Sequence, residues 1–187
     1  MKPGTNLVRF ITPAALALTI ALSPGIMPGQ GADSEQVSDL LAQAKRHAVL
    51  LEDDAASLDA FTRSKLHWES HSLKLQEMRD HVNQLGKVDK QLTELRPQGS
   101  HWQQKAIDEI HPLLMEMASH LTRTINHLND NPSRIRMRAY ADYVHANYEI
   151  ATKTAEMIAD YLAYDEAMSL AESSEARLNL PDSKINN

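Results

Sequence analysis

The chain has 187 residues, a formal net charge of −6 and no cysteine, and its length suits one domain. The missing cysteines exclude disulfides, covalent haem attachment and thiolate metal sites, and the acidic balance argues against nucleic acid and anionic membranes as partners. Nine histidines are the one compositional oddity.

Residues 1–31 read as a secretory signal peptide. Lys2 and Arg9 supply the positive start, Phe10 to Leu22 is an apolar run, and Ser23 to Gly31 is Pro/Gly-rich and ends in Gly29-Gln30-Gly31. The run is too short to span a bilayer comfortably. Cleavage after Gly31 or Ala32 is expected to release a soluble mature chain to the periplasm or the cell exterior. No later stretch is apolar for long enough to insert in a membrane.

Helix one is expected to start after a cap at Asp33 or Ser34. Its stripe Val37, Leu41, Ala44, Ala48, Leu51, Ala55, Leu58 steps by four and three, the spacing of a coiled-coil-like seam. His47 lies beside that stripe. The stretch Asp59 to Ser64 holds neither Gly nor Pro, yet one helix from 34 to 95 would run roughly 90 Å. A tight turn at residues 59–64 is therefore expected, with one long bent helix as the alternative.

Helix two, Thr62 to Leu95, places Trp68, Leu75, Met78, Val82, Leu85 and Leu92 on its seam, with His71 among them. His67 and His71 are four apart, so on a helix they share a face and can chelate a divalent metal such as zinc or copper. The alternative is that His71 fills a core slot beside Trp68 and hydrogen-bonds across the bundle. Glu69 points elsewhere, so this is not the His-Glu-x-x-His of metalloproteases.

Arg96-Pro97-Gln98-Gly99 ends helix two and Ser100 caps helix three. The third stripe is Ile107, Ile110, Leu114, Met117, Leu121, Thr124, Leu128, with Trp102 at its entrance. Pro112 predicts a kink between Asp108 and Pro112. Asn129 to Ser133 makes the next turn. Helix four is expected from Arg134 to Glu175, with Tyr140, Val144, Asn147, Ala151, Thr154 and Ile158 inward, before a polar tail at 177–187. Four amphipathic helices with short connections over residues 32–176 imply an all-α, antiparallel, up-down-up-down four-helix bundle.

Other groupings carry less. Glu77/His81, Glu116/His120 and Asp108/His111 are helical pairs, but a di-iron bundle needs Glu-x-x-His twice and the chain has none. His120 and His127, with His111 and Met117, suit copper or simply a solvated flank. All five tyrosines lie in helix four, and Tyr143 and Tyr164 fall off its seam, as interface tyrosines do. Arg134, Arg136 and Arg138 oppose the dipole at that helix start, which calls for a nearby carboxylate, Asp130 or Glu69. Trp68, Arg134, Arg138, Tyr143 and Tyr164 are thus a candidate interaction face. No Ser/His/Asp order, phosphate loop or nucleophile elbow supplies catalytic residues.

Thr62-Arg63-Ser64, Leu66, Trp68, Ser70-His71, His81-Val82-Asn83, Leu85-Gly86-Lys87, Trp102 to Ile107 and Ile125 to Asn129 together resemble a family of exported helical-bundle proteins with no established activity. The resemblance implies a fold over most of the mature chain and assigns no residue a role. The function these readings favour is a non-enzymatic exported bundle acting as a protein-interaction or binding module. The alternative is a histidine-based zinc or copper protein using His67 and His71.

Overall fold

The bundle is built from four apolar stripes whose three- and four-residue steps give each helix one buried face. A computed structural model describes residues 33–178, with α1 (Glu35–Thr62), α2 (Trp68–Leu95), α3 (His101–Asp130) and α4 (Arg138–Leu178). Short 3₁₀ turns, Arg96–Gln98 and Pro132–Arg134, precede α3 and α4. No strand occurs among the described residues. The expected signal peptide, residues 1–31, and residues 179–187 of the expected tail lie outside them.

In α1 the buried residues are the seven of the expected stripe. The helix continues through Asp59, however. The Asp59 carboxylate takes a hydrogen bond from Arg63 at 2.6 Å and its carbonyl takes one from the Thr62 hydroxyl at 2.7 Å. These bonds make Asp59 part of the last helical turn rather than a new cap. The reversal falls at residues 63–67, later than the expected 59–64, and two separate helices replace the long bent one.

This shift corrects the reading of Trp68. It is the first residue of α2 and is 43 % exposed, because the chain is still turning at His67 and the helix first meets the core at His71. Farther along α2, Leu75, Met78, Leu85 and Leu92 are buried as expected, joined by Val88 and Asp89, while Val82 is only partly covered.

α3 runs unbroken through Pro112. That residue is exposed, so one amide is lost from the ladder on the solvent side without ending the helix. α4 starts at Arg138 rather than Arg134, since Pro132–Arg134 takes 3₁₀ geometry and Ile135 tucks against the core.

Pairs of residues fix the topology. Asp54 meets Lys74, Asp89 meets His111, Thr124 meets Asn147, and Asp59 meets His145. Farther from each turn, His47 meets His81, Glu109 meets Tyr161, and Ser38 meets Asp165. Later residues of one helix thus meet earlier residues of its neighbour, so each pair is antiparallel and the order is up-down-up-down. α1 packs beside α2 and α4, and α3 closes the square, leaving α2 and α4 across a diagonal. No residue of α4 beyond Ile158 is buried.

Candidate functional site

The two histidines first expected to form a pair do different things. His67 is the N-cap residue of α2, in extended backbone (φ −83°, ψ 162°), and is exposed. His71 is 1 % exposed. Its Nδ1 shares a hydrogen bond with the Tyr140 hydroxyl at 3.1 Å, across the diagonal between α2 and α4. Phe61 stands edge-on to the His71 ring, with centroids 5.7 Å apart. His127 stacks on Tyr140 and leans on Tyr143. Burial lowers the pKa of His71 and raises that of Tyr140, because each charged form would lose its hydration. His71 is therefore spent within a buried aromatic cluster, with Phe61 where Trp68 was expected.

The candidate interaction face is divided between the two ends of the bundle. Arg134 and Arg138 lie by the turn into α4, with Tyr143 one turn farther on and half-buried against His127. Tyr164 is 48 % exposed and sits roughly 30 Å farther along α4 at 1.5 Å per residue. The carboxylate met by the arginine cluster is Asp142, 3.9 Å from Arg138, rather than Asp130 or Glu69.

Around Tyr164 the surface is concave. A groove of about 620 Å³ runs between α3 and α4, lined by Trp102, Met157, Tyr161 and Tyr164 and also by Lys105 and Lys153. The Trp102 ring is edge-on to Tyr164, and its Nε1 donates to the Asp33 carboxylate at 2.7 Å. Tyr161 donates to Glu109 at 2.7 Å. Burial and that bond push the Tyr161 pKa up to about 12.

Gln103, unremarked in the sequence, is the most fully used side chain at this end. Its Oε1 accepts from the backbone amides of Ser34 and Ser100 at 2.9 and 3.0 Å. Its Nε2 donates to the Ser34 carbonyl and the Ser38 hydroxyl, both at 3.0 Å. One buried amide thereby ties the start of α1 to the start of α3. The signal was present, since Ser100 followed three residues later by Gln103 is a capping-box pattern.

The remaining histidines separate by neighbour. His111 bonds Asp89 of α2 at 2.9 Å, whereas His127 faces α4, so the supposed copper-suited flank is divided. His47 of α1 and His81 of α2 face each other with ring centroids 5.8 Å apart. The pKa of His47 is lowered, first by burial and then by His81 and Arg46. Among the described residues no group of three or more histidine, aspartate or glutamate side chains stands ready to hold a metal. No described helix is long and apolar enough to cross a membrane.

No family model, curated protein or solved structure matches the chain.

Proposed function

We propose that the protein is a non-enzymatic exported bundle that binds an amphipathic helix of a partner protein in the α3/α4 groove. The observation that carries this reading is the exposure of Tyr164 beside Trp102 and Tyr161 on a concave surface, since aromatic side chains in grooves are the usual anchors of protein interfaces. Met168 lies one turn beyond Tyr164 on the same face and is also exposed, which prolongs the apolar strip along α4. Lys105 and Lys153 line the groove together with Glu109, Glu156 and Asp160, a mixed-charge lining of the kind that sets register. Export rests on Lys2, Arg9 and the apolar run Phe10 to Leu22.

Site-specific photo-crosslinking in the exporting cell tests the reading. A crosslinker at position 164 should trap a defined protein that a crosslinker at exposed Leu73, on α2, does not trap. Met157→Glu should abolish the adduct. Trapping that is equal at both positions, or indifferent to Met157→Glu, would overturn the groove as the binding surface.

A further inference from the structure

We propose that the helix taken by the α3/α4 groove is basic, its lysines or arginines meeting carboxylates that flank an apolar strip on α4. This rests on the groove reading and adds the charge of the partner to it. The strip is Met157, Tyr161, Tyr164, Met168, Ala171 and Leu178, whose spacing by fours, threes and a final seven puts them on one helix face. It begins inside the groove, and Tyr164, Met168 and Leu178 are exposed.

The strip outruns the helices beside it. Trp102, at the start of α3, meets the Tyr164 ring, and Ser38, in the first turn of α1, donates to Asp165 at 3.5 Å. Residues 166–178 therefore continue past both helix starts for roughly 20 Å at 1.5 Å per residue, and none of them is buried. An apolar strip on such a helix is one half of a helix–helix contact.

The charges beside the strip decide which helix completes it. Helical spacing puts Glu156 and Asp160 on one flank and Asp165 and Glu172 on the other. Arg177 falls on the far face and bonds Ser174. None of the four carboxylates has a cation within ion-pair distance among the described residues. Burial and then the charge of Asp33 raise the Asp165 pKa, as happens where negative charges face one another. Lys105 is matched by Glu109 at 3.8 Å, which leaves Lys153 as the one unmatched lysine of the groove. A second copy of α4 would set acidic flank against acidic flank, a costly arrangement. A basic helix instead pairs with both flanks while its apolar face covers the strip. A lysine or arginine beside Trp102 or Tyr164 also gains cation–π attraction.

Two synthetic amphipathic peptides of about 20 residues, one of leucine and lysine and one of leucine and glutamate, test the charge. Trp68→Phe leaves Trp102 as the only tryptophan, so its fluorescence reports the groove. The Leu/Lys peptide should shift that emission and bind more weakly as salt rises. The Leu/Glu peptide should bind at least about tenfold more weakly. Asp160→Asn/Glu172→Gln should weaken Leu/Lys binding at least about threefold. Asp39→Asn/Glu94→Gln, at exposed carboxylates of α1 and α2, should leave it unchanged. Equal binding of both peptides, with both weakened by Tyr164→Ala, would sink the basic partner and leave the groove reading standing. Leu/Lys binding that Asp160→Asn/Glu172→Gln does not weaken, or no binding at all, would also overturn the proposal, whereas the groove itself falls only with the crosslink at position 164. A dimer of the chain that Tyr164→Ala dissociates would make a second copy the occupant and refute the basic helix.

Discussion

His71 Nδ1 and the Tyr140 hydroxyl meet 3.1 Å apart across the diagonal of the bundle, joining the two helices that are otherwise not side-by-side neighbours. Both side chains are essentially excluded from water. Each is the other's hydrogen-bond partner at a buried position, so neither can be removed without stranding the other.

Removing one member should therefore cost more than removing both. Tyr140→Phe leaves a buried imidazole nitrogen without its partner, and His71→Leu leaves a buried hydroxyl, each at about 1–3 kcal/mol. The double variant strands neither group and should be more stable than the sum of the single losses. Urea unfolding of the four proteins measures this coupling. Strict additivity would show that the bond contributes nothing beyond packing.

Acid should weaken the fold through the same ring. The pKa values of His71 and His47 lie below the ordinary 6.5, so the unfolded chain takes up these protons first. Stability then falls as pH drops through 6.5 and levels off once pH is below the folded values. Urea midpoints measured downward from neutral pH should show the loss, and the His71→Leu/Tyr140→Phe double variant should show less of it. A midpoint that rises on acidification would contradict the sign.

Alkali should act through the tyrosines. Tyr140 and Tyr161 both titrate above the ordinary 10.0, Tyr161 near about 12. The folded chain therefore retains protons that the unfolded chain gives up, and stability falls as pH rises above 10.0. An ultraviolet titration should show two tyrosines ionising late in the folded protein and all five together in denaturant.

The core was legible in the sequence because burial on a helix follows a period, and the α1 stripe is reproduced residue for residue. Trp68 was misread because the seven-residue phase was extended backward through a reversal that contains no Gly or Pro. His71 was rightly placed in the seam, but its partner was not legible. Period assigns a residue to a face without saying which helix stands opposite, and Tyr140 lies 69 positions away. The same limit hid the meeting of His47 with His81, which depends on helix register. The α3/α4 groove depends on the shapes of two flanks that only packing brings together.

Gln103 should prove one of the costliest polar side chains to truncate. Gln103→Ala removes four hydrogen bonds at once and leaves the buried Ser100 amide without its side-chain partner. A loss of about 2–3 kcal/mol is expected. Gln103→Glu keeps the acceptor but removes both donors, and sets a buried carboxylate against the Ser34 carbonyl, so it should not rescue. Thermal melts give the size of the loss. Hydrogen exchange should locate it at the start of α1 and α3, and uniform loosening of the whole bundle would refute the role of a local tie.

Asp89 should be the converse case, a buried carboxylate that stability does not require. It is 8 % exposed, and its carboxylate is bonded by the far more exposed His111. A small cavity of about 60 Å³ adjoins it, with Val82, Leu85, Leu114 and Met115 in its wall. His111→Ala leaves the carboxylate without its partner and should cost about 1–3 kcal/mol. Asp89→Leu instead removes the desolvated charge and fills apolar space, while the His111 ring is left facing water. By the general behaviour of buried ionic groups, that change should be neutral or stabilising. Adding His111→Ala to Asp89→Leu should then cost almost nothing. Urea unfolding of the three variants checks the series, and an Asp89→Leu protein less stable than His111→Ala would show that the pair itself stabilises the interface between α2 and α3.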